Sequence, residues 1–146
     1  MEMKGTHIIP APRETVWAAL NDPDVLRVCI PGCKELEKKS ETELAATVVT
    51  KVGPVKATFK GEVTLENLNP PTSYSIVGEG KGGIAGFAKG GANVTLSDAE
   101  DGTQLDYEVD ARVGGKLAAL GSRLIDSTAK KLAGEFFTNF SKHVGG

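Results

Sequence analysis

The chain is poor in the side chains that do chemistry at neutral pH. Its 146 residues include two histidines, His7 and His143, and two cysteines, Cys29 and Cys33. A zinc site needs about four ligands at compatible spacing, and the histidines lie near opposite ends with no ligand-like spacing to either cysteine. Cys29 and Cys33 frame a Pro-Gly turn and read as two buried or half-buried thiols. A redox pair is the alternative, since so short a loop closes only with favourable backbone geometry. No Ser/His/Asp or Cys/His arrangement can be assembled from two terminal histidines, and no P-loop is present. Accordingly no catalytic residue, metal ligand or cofactor is assigned.

Aromatic residues are scarce as well, with one Trp, two Tyr and five Phe. Strong charge of either sign is missing: the net charge is −2, which is the wrong sign for the basic footprint that phosphate neutralisation demands, so no nucleic-acid partner is expected. Long hydrophobic runs are missing too, because Gly, Pro or charge breaks every apolar stretch before the ~18 residues of a membrane span. The N-terminus, Met1 to Thr6, has no basic segment followed by an apolar one, so no secretory leader is expected. The expected location is the cytoplasm, where Cys29 and Cys33 stay reduced. At this length a compact fold removes roughly 70% of the unfolded chain's surface from water, enough for a core without disulfides or metals. No linker or repeat divides the chain, and one domain over 1–146 is expected.

What is present is pattern. Val55, Ala57, Phe59, Gly61, Val63 and Leu65 alternate with Lys56, Thr58, Lys60, Glu62, Thr64 and Glu66, giving a strand with one dry face and one wet. Leu105, Tyr107, Val109, Ala111 and Val113 repeat it. Weaker strands are expected at 3–9, 34–39, 43–51, 73–78 and 92–97, separated by turn chemistry such as Gly53-Pro54 and Asp101-Gly102. Two short helices follow the first strand, at 13–20 and from Pro23, with Asp22 as N-cap. From Lys116 to His143 the period changes to 3.6: Leu117, Gly121, Leu124, Ile125, Thr128, Leu132, Phe136 and Phe140 form a drifting stripe on one helix of about seven turns. The expected class is α+β, an antiparallel sheet of about six or seven strands covered by a long closing helix.

Charge is unevenly distributed. Residues 1–114 carry 12 basic and 17 acidic side chains, and residues 115–146 carry 5 and 2. Lys116, Arg123 and Lys130 recur every seven residues and share a helix stripe, which reads either as a solvated face or as a surface for an acidic partner or anionic leaflet.

The order of elements resembles the helix-grip fold of birch-pollen-allergen and START-like proteins. The runs Val16-Trp17 to Pro23, Cys29-Ile30-Pro31-Gly32-Cys33, Lys51 to Ala57, Gly78 to Gly83 and Gly114 to Asp126 resemble the family of the carbon monoxide dehydrogenase G-subunit over nearly the whole chain. The resemblance implies a curved sheet gripping the long helix around an apolar cavity. It also implies a non-catalytic accessory of a molybdenum-containing carbon monoxide dehydrogenase or related hydroxylase, one that helps bring the enzyme to the inner face of the membrane. Some relatives continue into a tail with an apolar end, whereas this sequence stops at Gly146.

Residues 78–91 hold seven glycines in fourteen positions. Gly78, Gly80 and Gly83 match the letters of a dinucleotide-binding motif, but residues 84–91 are too glycine-rich for the helix such a motif requires. Two readings stand: glycines that permit strand twist or a loop, or a lid over a cavity mouth. In the second, Ile84 and Phe87 form an apolar tip between Lys81 and Lys89, suited to a lipid boundary or an acidic patch. Eight aromatics and many glycines cannot fill the space under a curved sheet, so a cavity of a few hundred Å³ is expected. Candidate lining residues are Ile30, Phe59, Tyr74, Ile76, Ile84, Phe87, Tyr107, Leu117, Leu120 and Leu124. Candidate docking residues are Lys81, Phe87, Lys89, Lys116, Arg123 and Lys130. An apolar small molecule, lipid or respiratory quinone, is the expected ligand; the quinone follows from role, since an enzyme oxidising a gas in the cytoplasm must pass electrons to the bilayer. The alternatives are a recruitment factor whose interior is filled by side chains, or a small cyclase- or hydrolase-like enzyme.

Overall fold

A computed structural model describes residues 1–145. In chain order the elements are β1 (Glu2–Ile9), α1 (Arg13–Leu20), α2 (Pro23–Cys29), β2 (Cys33–Lys38), β3 (Glu43–Val52), β4 (Val55–Asn69), β5 (Ser73–Lys81), β6 (Phe87–Ala99), β7 (Gly102–Gly114), α3 (Lys116–Ala119) and α4 (Ser122–Gly145). The seven strands form one antiparallel sheet in the order β1-β7-β6-β5-β4-β3-β2. This is the helix-grip arrangement, with the two short helices after β1.

Local chemistry accounts for the start. Pro12 precedes α1, and the Asp22 carboxylate accepts a hydrogen bond from the Asp24 N–H (2.9 Å), capping α2 with Pro23 in its first turn. The odd residues of β4 face inward, as the alternation predicts. Register then fixes the inward face of the neighbours: Leu65 opposes Ile76, Ile76 opposes Ala92, and Ala92 opposes Val109.

Two expectations are corrected. The glycine-rich stretch is mostly strand: β5 runs on to Lys81 and β6 begins at Phe87, leaving a single 3₁₀ turn at Gly83–Ala85. Glycine tolerates this because the strands approach closely there. A Cβ on Gly90 would lie 2.2 Å from the Asp110 carbonyl oxygen. The closing helix is also interrupted. Gly121 adopts φ +91°, a conformation that favours glycine, and separates α3 from α4. Lys116 therefore does not share an unbroken helix with Arg123 and Lys130.

The solid part of the interior lies where α1 and the C-terminal half of α4 meet β1, β6 and β7. Ile9, Val16, Leu96, Leu105 and Phe140 are fully buried there, and the buried Thr103 hydroxyl donates to the Ala11 carbonyl (2.7 Å). Phe140 is the one fully enclosed side chain of α4 among the described residues.

Candidate functional site

The interior is not filled throughout. Between the sheet, α2 and the Phe136–Phe137 turn of α4 lies a cavity of about 310 Å³. Leu44 and Ala46 of β3, Gly61, Val63 and Leu65 of β4, Tyr74 and Ile76 of β5, Val94 of β6 and Leu105 of β7 form its floor and walls. Leu20, Leu26, Ile30, Leu36, Phe136 and Phe137 close it. Among these fifteen residues Tyr74 alone has a polar side chain. Such a lining suits an apolar guest and offers water few partners.

The hollow follows from side-chain size. Ala46 and Gly61 oppose each other in the β3–β4 register, so the sheet floor is thin where α4 passes over it. Phe136 and Phe137 reach down from the helix, Phe136 stacking on Phe140 (5.6 Å between centroids) and Phe137 on His7 (4.1 Å). Their rings hold the helix off the floor.

Of the ten expected lining residues, Ile30, Tyr74 and Ile76 lie in the cavity wall. The other seven lie outside it. Tyr107 faces inward, but its ring lies flat against Gly5, where a Cβ would meet the hydroxyl at 2.7 Å, and it stacks with Phe137. Phe59 faces inward at the far end of β4, against Gly82. Leu124 covers Gly53 in the β3–β4 turn. Leu117 is buried beneath α3, and Leu120 is half-buried at the helix break. Phe87 lies over Gly114 of β7, and Ile84 at the 3₁₀ turn points into solvent, 85% exposed. Strand alternation identifies the face of a residue but not its distance along the strand, which is why Phe59 and Tyr107 share the right face and miss the cavity. Sequence pattern alone does not single out the other wall residues, from Leu20 on α1 to Phe137 on α4. The adjacent phenylalanines at 136 and 137 are the readable signal among them, since they widen the apolar stripe at one level of the helix.

Tyr74 has no hydrogen-bond partner among the described residues, and its ring meets Trp17 edge-on at 5.3 Å. Burial pushes its phenol well above the ordinary value, so it remains a neutral donor. Burial also pushes the Cys29 and Cys33 thiols up, and both are free. Among the described residues no three His, Cys, Asp or Glu side chains are grouped to hold a metal. Among them, too, no helix is long and apolar enough to cross a membrane.

The docking candidates cluster only in part. Lys116 and Arg123 are exposed at the start of α3 and α4, and α3 packs beside the 3₁₀ turn that carries Ile84. Lys81 and Lys89 are on the opposite, convex face with Glu79 between them: Lys81 Nζ lies 3.5 Å from Glu79 Oε1, and Lys89 opposes Glu79 in register. Lys130 is exposed farther along α4.

The sequence profile of the carbon monoxide dehydrogenase G-subunit (CoxG) family matches residues 5–145. The chain belongs to the CoxG family. Among solved structures, a conserved protein from Geobacillus kaustophilus is 33% identical over 99% of this chain and 95% of its own, with a TM-score of 0.92. A Chromobacterium violaceum protein (15% identity, 99% and 97% coverage, TM-score 0.76) and one from Thermus thermophilus (14%, 99% and 97%, 0.72) share the fold. No curated protein matches.

Proposed function

We propose that this CoxG-family chain is a non-catalytic accessory of a molybdenum-containing carbon monoxide dehydrogenase or related hydroxylase. In this reading it holds an apolar small molecule, a quinone or lipid, in the cavity beneath α4. Its Ile84 end helps bring the enzyme to the inner face of the membrane. The observation that carries the reading is the cavity itself. A void of about 310 Å³ walled by hydrocarbon loses the dispersion contacts a filled core would make, and an apolar guest restores them. Support for docking comes from the tip. An 85% exposed isoleucine on a turn packed against α3, which begins at the exposed Lys116, suits an anionic headgroup boundary, where each basic residue contributes about 1 kcal/mol.

Flotation with vesicles of mixed neutral and anionic phospholipid tests the docking half, and uptake of a respiratory quinone by the free protein tests the holding half. Wild-type protein is expected to float and to take up quinone. Ile84→Asp and Lys116→Glu alter side chains outside the core, so both variants should lose flotation and keep uptake. Wild-type protein that takes up neither quinone nor lipid would overturn the holding role. Variants that float like wild type would overturn the docking role.

A further inference from the structure

The cavity is continued by a second space. Gly61, Val63 and Ile76 line the enclosed cavity and also a trough of about 290 Å³ on the concave face of the sheet. The trough is more open and is floored by small residues on successive strands: Gly78 and Gly80 of β5, Ala88 and Gly90 of β6, and Ala111 of β7. It leads from the cavity toward the turn that carries Ile84.

The glycines differ in why they are glycine. A Cβ on Gly78 would clash with Val63 at 2.5 Å, and one on Gly90 with β7 backbone. A Cβ on Gly80 would meet nothing within 4 Å, and one on Gly61 only two carbonyl oxygens at 3.8 and 3.9 Å. Neither close strand packing nor a positive φ requires glycine at these two positions. At the other end, Tyr74 is 6% exposed, lies in the cavity wall and has no hydrogen-bond partner among the described residues. Its hydroxyl is not sealed in. Among the described residues the one fully enclosed side-chain nitrogen or oxygen without a hydrogen bond is Arg13 Nε, which instead pairs with the Asp98 carboxylate at 3.1 Å. A hydroxyl left without a protein partner in an apolar wall gains a hydrogen bond from an acceptor placed beside it. Among the described residues no cation lines the cavity to receive an anion, whose burial there would be prohibitive.

Building on the holding role proposed above, we infer that the two spaces form one site for an elongated, uncharged molecule. A head bearing an acceptor oxygen sits in the cavity and takes the Tyr74 hydrogen bond, and a hydrocarbon chain runs past Gly61 and along the Gly80 trough toward the Ile84 turn. Gly61 and Gly80 then determine specificity by leaving room for the chain.

Calorimetric titration with a homologous series of straight-chain methyl ketones, and with the matching alkanes and carboxylates, tests this. Wild-type affinity should rise with chain length, favour ketone over alkane by roughly fivefold to tenfold, and be weakest for carboxylates. Tyr74→Phe should erase the ketone preference and keep the dependence on length. Gly80→Leu should reduce long ketones to the affinity of short ones and leave short ones unchanged. Ala88→Leu, which opposes Gly80 in register, fills the same trough from the neighbouring strand and serves if Gly80→Leu does not fold. Unchanged length dependence in a folded trough variant, an undiminished ketone preference in Tyr74→Phe, or carboxylates bound as tightly as ketones would overturn the inference while the holding role stands. Wild-type protein that binds no member of the series would overturn both.

Discussion

His7 shows how one side chain ties stability to pH. Its ring is stacked against Phe137 and near Tyr107, and burial lowers its pKa from the ordinary 6.5. The folded state resists protonation that the unfolded chain accepts, so stability is retained above about pH 6.5 and lost as the pH falls toward the lowered folded value. Asp106, whose carboxylate accepts from Thr6 (2.6 Å) and Gln104 (3.0 Å), is held below its ordinary 3.8 and adds a loss of the same sign at lower pH. Urea unfolding at stepped pH should show stability declining from pH 7 to 5 in wild type and a flatter profile in His7→Phe. Equal slopes would refute the assignment. Phe140, fully enclosed at the foot of α4, belongs to the same scale: Phe140→Ala should cost about 3–5 kcal/mol in the same assay, the lost burial of the ring plus the void it leaves.

At the scale of elements, legibility varies with the source of the signal. Asp22, Pro23 and the strict alternation of β4 act through nearest neighbours, so α2 and β4 are readable without any tertiary information. Asp22→Ala should lower stability by about 1 kcal/mol, measurable by denaturant midpoint, and Asp22→Asn should restore most of it. Residues 78–91 are harder. Seven glycines in fourteen positions argue against a strand by propensity, yet cross-strand pairing overrides propensity when neighbouring backbones leave no room for side chains, as at Gly90. The break at Gly121 is hidden for the opposite reason. Gly121 falls on the apolar stripe at the correct period, and only its positive φ separates α3 from α4.

At the scale of the molecule, the hollow follows from volumes that no single element contains. Scarce aromatics and abundant glycine point to unfilled space, but its position depends on the height at which Phe136 and Phe137 hold α4 above Ala46 and Gly61. That height is set jointly by α4, β3, β4 and β1. Hence Ile30, Tyr74 and Ile76 are legible as lining residues, whereas Tyr107 and Phe59, on the same face, belong by pattern to a cavity they do not reach. The family is legible because it resides in contiguous runs, and the site is not because it is assembled across the whole sheet. The holding role requires the hollow to be occupied in the working protein. Native mass spectrometry of protein purified without detergent from its own host tests this most directly: a bound apolar species is expected, displaced in Tyr74→Trp and removable by organic solvent, and a population carrying the bare polypeptide mass alone would contradict it.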